Sequence, residues 1–145
     1  MLDLSLAITH HLLIFGLFGV LAIELINVRR GMTTDSIVQI GRVDLWYGIL
    51  AGLIVVVGFL RAVYAAKGWG YYSHNAFFWA KIATFAVIGV LSVPPTIAYI
   101  RWRRAGSAPT DDQIAGVRRY LWAETLLFAL LPAFAAAMAR GYGAI

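Results

Sequence analysis

The chain has 145 residues, 61% of them hydrophobic and only 13% charged, with a formal net charge of +5 and no cysteine. A water-soluble domain of this length cannot hide so much apolar surface, and the mean hydropathy of +0.79 points to lipid as the solvent. The absence of thiols excludes disulfides, thiolate metal sites and cysteine nucleophiles, and the arginines sit beside apolar runs, where membrane orientation explains them better than nucleic acid.

The first apolar run is charge-free over Leu4–Ile23 and predicts a helix over residues 4–28. It reads as a retained span, not a cleaved signal segment: Asp3 is its only early charge and no Ala-x-Ala site follows. Spacings of four and three join His10, Ile14, Leu17, Leu21 and Glu24 in one stripe. That stripe should face the bundle interior, because a carboxylate exposed to hydrocarbon costs several kcal/mol. His11 is rotated away by about 100°, which makes His10 the better candidate ligand. Gly16 and Gly19 offer room for close helix approach.

A loop with Arg29, Arg30 and Arg42 leads to the second run, charge-free over Leu45–Leu60, and a helix over 43–66. Gly48-x-x-x-Gly52 is a small-residue pair suited to packing within the bundle or in a homodimer. Arg61 ends this span. The third run predicts a helix over 76–101, with Lys81 near its start and Pro94-Pro95 placed to kink it. His74 and Lys81, seven residues apart, share a face with Phe77, Phe78 and Phe85 if the helix reaches back that far. Lys81 and Arg61 either snorkel to the headgroups or face a cavity. Tyr64, Tyr71 and Tyr72 read as an aromatic belt.

The fourth helix is expected over 119–140, after a loop rich in Arg101, Arg103, Arg104, Arg118 and Arg119. Thr110 with Gln113 reads as a capping box. The segment TDDQIAGVRRYLW from Thr110 repeats features of TDSIVQIGRVDLW from Thr34. Both loops obey the same capping and interface rules, or the chain carries a duplicated hairpin. Capping in these loops would start the second and fourth helices before the membrane, with Trp46 and Trp122 at the interface. Glu24, Asp44 and Glu124 are expected as ion-pair partners of arginines such as Arg42, Arg101 and Arg119. Met138 reads as packing or as a soft ligand.

The expected fold is all-α: a polytopic membrane protein with one domain, residues 1–145, folded as a four-transmembrane-helix bundle. Both arginine-rich loops fall on one side, so the positive-inside rule makes both termini periplasmic in a bacterial inner membrane. His10, Arg61 and Lys81 then lie at one depth near the outer face. No phosphate-binding glycine loop, G-x-S-x-G or His-Glu-x-x-His is present.

The stretches around His10, YYSHNAFFWAKI, LSVPPT and Asp44-Leu45-Trp46-Tyr47-Gly48 resemble an uncharacterised family of small four-helix bacterial membrane proteins. More distantly, the early first-helix His10 and the Trp79-Ala80-Lys81 opening of the third helix resemble the CopD/HemJ-like membrane group. HemJ-type members are haem-b-binding protoporphyrinogen oxidases, with a first-helix histidine as haem ligand and an important lysine opening the third helix. The resemblance implies a shared haem-binding bundle, with His10 as ligand and Lys81 beside the haem. His74 is the candidate second ligand, with Lys81 either ligating in its place or pairing with a propionate alongside Arg61. Electron transfer or a small oxidation at the periplasmic side follows. The alternatives are an ion, proton or copper carrier, and a non-catalytic subunit of a larger membrane complex.

Neutralising Arg101, Arg103 and Arg104 together is expected to loosen the orientation of the chain, because most of that loop's positive bias disappears. Paired cytoplasmic and periplasmic C-terminal reporters check this. Unchanged orientation and yield would mean that other features fix it.

Overall fold

The structure, a computed structural model, describes residues 2–64 and 67–145. Among these, six helices follow in order: α1 (Leu2–Asn27), α2 (Thr34–Tyr64), α3 (Gly68–Ser73), α4 (Ala76–Ala105), α5 (Asp111–Phe128) and α6 (Leu130–Ala139). α1, α2, α4 and the α5–α6 pair are each long and apolar enough to cross a membrane, so the chain is a multi-pass membrane protein with four spans. Leu12, Phe15, Val90 and Leu126 are each about two-thirds exposed, which suits side chains solvated by lipid tails.

Local chemistry sets the helix ends. The Thr33 hydroxyl accepts from Ser36 N at 3.3 Å, so α2 begins nine residues before the apolar run predicts. Residues 65 and 66, the end of the expected second helix, lie outside the described residues. Thr110 and Gln113 close the expected capping box, and α5 begins well before residue 119. The expected fourth helix divides at Ala129. Pro132 has no N–H for the Phe128 carbonyl and its ring crowds that group, which breaks the ladder there. α4 starts where the Asn75 side chain accepts from Phe77 N and Phe78 N, and stops at Gly106, whose φ of 63° suits glycine. It runs without interruption through Pro94 and Pro95. The short α3 had no signal in the hydrophobic pattern.

The spans form a ring. α1 packs on α2 and α5, and α4 packs on α2 and on α5 and α6, so α1 lies diagonally across from α4, and α2 from α5. Leu17, Leu21, Ile40, Ile54, Ile88 and Leu121 fill the centre. At one end the α1–α2 and α4–α5 loops meet. Exposed Arg30 pairs with Asp111 there at 3.4 Å. Arg118 Nη1 donates to the carbonyls of Leu25 at 2.8 Å and Val28 at 2.6 Å, capping the C-terminal end of α1 with a cation. At the other end the C-terminal tail is strapped across the start of α4. Ala76 N donates to Gly143 O at 2.7 Å, Ile145 N to His74 O at 3.0 Å, and buried Asn75 to Tyr142 O at 2.9 Å.

The glycine strip differs from the sequence expectation. A Cβ placed on Gly48 or Gly52 meets nothing within 4 Å, so neither glycine packs inside the bundle. Gly58 is the close-packed one, with its Cβ position 3.3 Å from His10 Cε1. Spacing alone cannot tell an inward glycine from an outward one when both faces of the helix are apolar. Gly58→Leu is therefore expected to lower thermal stability in detergent by about 1–3 kcal/mol through overpacking, with Gly48→Leu and Gly52→Leu much milder. Larger losses at Gly48 and Gly52 than at Gly58 in melting curves would contradict this packing.

Candidate functional site

Two polar regions interrupt the apolar core. The first is a cavity of about 240 Å³ at the end where the termini lie. α1 contributes His10 and Ile14, α2 contributes Gly58 and Arg61, and α4 contributes Phe78, Lys81 and Phe85. Tyr72 of α3 and Met138 of α6 complete the wall, so the tail strap roofs the cavity by fixing the elements that carry them. Tyr71 Oη helps, donating to Met138 O at 2.9 Å.

Within this cavity His10 Nδ1 and Arg61 Nε are buried without a hydrogen-bond partner. Lys81 Nζ stands 5.7 Å from the centre of the Phe78 ring, a cation–π contact. No carboxylate pairs with Arg61 or Lys81 among the described residues. Two cations and an unpartnered imidazole thus converge on a space walled by aromatic rings. Charges in such a setting are normally paired or coordinated, so the cavity suits a ligand that is apolar in body and anionic at its edge.

The other histidines are directed elsewhere. His11 is exposed and donates from Nδ1 to Ala7 O at 2.6 Å, within its own helix. His74 caps the C-terminal end of α3, is exposed, and donates from Nδ1 to Gly70 O at 2.9 Å. Asn75 separates it from α4, so His74 and Lys81 do not share a helix face, and His74 does not line the cavity. Of the four sequence-derived candidates, the structure brings together His10, Arg61 and Lys81. Met138, expected as packing or as a soft ligand, lines the same cavity. Tyr72 reaches the cavity although its sequence context suggests an interfacial belt; no local pattern distinguishes the two.

The second region lies toward the arginine-rich end, and here the expected ion pairs do not form. Glu24, 2% exposed, accepts from Tyr99 Oη at 3.2 Å. Glu124, 1% exposed, accepts from Tyr47 Oη at 2.8 Å. Asp44 Oδ1 accepts from Thr96 Oγ1 at 2.8 Å. Arg42, Arg101 and Arg119 stay at the surface, where water and headgroups solvate them better than a buried carboxylate would. Glu24–Tyr99 joins α1 to α4, and Tyr47–Glu124 joins α2 to α5, so the two bonds span the two diagonals of the ring.

A family model described as "Predicted membrane protein (DUF2214)" matches residues 2–143. The chain belongs to that family. No curated protein and no solved structure matches it.

Proposed function

For this member of a membrane protein family, we propose a b-type haem-binding role, with electron transfer or a small oxidation at the end of the bundle that carries the termini. The observation that carries the reading is the convergence of His10, Arg61 and Lys81 on one aromatic-walled cavity without a carboxylate to neutralise it. Haem b combines an apolar ring, two carboxylates and an iron that takes an imidazole, and each has a counterpart among these residues. The cavity, at about 240 Å³, lies below the ~300–1,000 Å³ of pockets for drug-sized ligands. A porphyrin therefore needs more room than the cavity holds, and half-exposed Phe59 on its wall is the side chain that would have to give way.

In this reading His10 holds the iron, with Arg61 and Lys81 set for the propionates. Met138 replaces His74 as the second candidate ligand, because Met138 lines the cavity and His74 does not. When bound, haem supplies one-electron chemistry. The chain's own residues supply the rest: Phe78, Phe85 and Ile14 exclude water, and the packing of Gly58 against His10 fixes the imidazole. By the positive-inside rule the arginine loops are cytoplasmic, and the cavity faces the periplasm of a bacterial inner membrane. The distant likeness to the CopD/HemJ-like group supports the same ligand position.

A second reading, an accessory subunit or homodimer packed through α2, is favoured by Gly48 and Gly52 lying open on the outer surface. An ion or copper carrier has less support: no group of three His, Cys, Asp or Glu that could hold a metal occurs among the described residues.

Protein purified in detergent from haem-replete cells is expected to show a Soret band. His10→Ala should abolish it with the fold intact, His11→Ala should retain it, and Lys81→Ala and Met138→Leu should shift or weaken it. A folded, colourless wild type would end the haem reading. Co-purification of a stoichiometric membrane partner without colour would support the subunit reading.

A further inference from the structure

Three hydrogen-bonded pairs rise through the bundle core from its arginine-rich end. His10 lies against Gly58 and Gly16 against Leu50, and carrying that antiparallel register along α1 and α2 brings Glu24 level with Asp44. Tyr47, and Glu124 with it, lies nearly one helical turn further into the bundle, about 5 Å at 1.5 Å per residue. Each glutamate uses one oxygen to accept a tyrosine hydroxyl. The second oxygen of each, Oε1 of Glu24 and of Glu124, is buried with no hydrogen-bond partner.

A residue 98% or more buried that keeps a free carboxyl oxygen needs something to meet it, since burying an unmet charged acceptor is costly. The facing groups supply no cation. α2 presents Asp44 and Tyr47, α4 presents Thr96 and Tyr99, and α5 presents Glu124. Arg29, Arg42 and Arg119 are exposed, and the guanidinium of partly buried Arg118 is committed to the Leu25 and Val28 carbonyls. A metal ion is not matched either, because no group of three suitable ligands occurs among the described residues. A proton is the remaining species that neutralises a carboxyl one at a time and needs no coordination shell.

The path is one-sided. Asp44 is only half-buried, whereas beyond Glu124 the core is closed by Leu17, Ile54, Ile88 and Phe128. Between Tyr47 and Gly58, which lies level with His10, α2 carries only apolar residues over about 16 Å, and the cavity wall starts at Ile54. We propose that Glu24, Asp44 and Glu124 form a proton-binding half-path that exchanges with the arginine-rich face and ends at Glu124. Each step passes one proton between carboxyl oxygens, with the Tyr47, Thr96 and Tyr99 hydroxyls as neighbouring donors, and no other atom moves. The half-path is independent of what the outer cavity binds.

Infrared spectroscopy of the full chain reconstituted in lipid vesicles tests it. Titration of the wild type should produce a carboxylic-acid carbonyl band that shifts down in heavy water. Glu124→Gln, which keeps an acceptor for Tyr47, should lose one component of that band, and Glu24→Gln another. Asp44→Asn should slow deuteration of the Glu124 component. Absence of an acid band at every pH where the wild type stays folded overturns the proposal, as does a band that never deuterates. Unchanged exchange in both Asp44→Asn and Glu24→Gln removes the path, and suppression of the band by sodium or potassium replaces the proton with a cation. The wild-type measurement alone decides if a variant fails to fold.

Discussion

Two glutamates buried at the centre of a bundle that stands in lipid constrain everything around them. Lipid tails are as apolar as leucine, so burial of aliphatic side chains gives four spans no strong reason to adopt one ring order over another. A carboxyl group does, because it must find a donor inside the protein. Glu24 finds Tyr99 and Glu124 finds Tyr47, and each bond crosses a diagonal that no direct helix contact bridges. Membrane hydrogen bonds of this kind contribute about 0.6 kcal/mol on average and up to about 1.7. Their larger effect is on specificity: rotating any one span by a quarter turn would either turn a carboxyl toward lipid or remove the hydroxyl that meets one.

The charges of this protein are sorted by sign along the membrane normal. Buried acids occupy the core near the arginine-rich end with hydroxyls and no cations, while Arg61 and Lys81 share the far cavity with His10 and no acids. Along α2, about 16 Å of apolar residues separates Tyr47 from the level of His10. Opposite charges in a low-dielectric medium attract strongly when close, so a chain selected only for stability would pair them. Keeping them apart leaves both sites ready for something from outside the chain: an anionic, apolar ligand at one end, in our reading, and a proton at the other.

Much of the architecture was legible in the sequence, and the reason is the same physics. Four charge-free runs mark four spans, the arginine loops mark one common end, and Thr110 with Gln113 marks the start of α5. The stripe from His10 to Glu24 identified an inward face because only polar residues betray the interior when apolar ones cover every side. That limit explains the failures too. Gly48 and Gly52 could not be told from inward glycines, and the partners of Glu24 and Glu124 lie 75 and 77 residues away, where no local pattern reaches. Nearby arginines suggested ion pairs, yet solvation at the surface outweighs pairing in the core. His74 sat at helical spacing from Lys81, but Asn75 starts a new helix between them. The tail strap and α3 are held by backbone bonds and by the Asn75 and Tyr71 side chains, whose distant partners leave no local pattern.

The measurement that tests this account most directly is a double-mutant cycle on each diagonal: Tyr47→Phe with Glu124→Leu, and Tyr99→Phe with Glu24→Leu, followed by reversible unfolding in mixed micelles. Each tyrosine change alone should destabilise the bundle, and should cost little once its glutamate is gone. The predicted coupling is about 0.6–1.7 kcal/mol per pair. Additive effects on both diagonals would contradict the claim that these two bonds fix the arrangement of the spans.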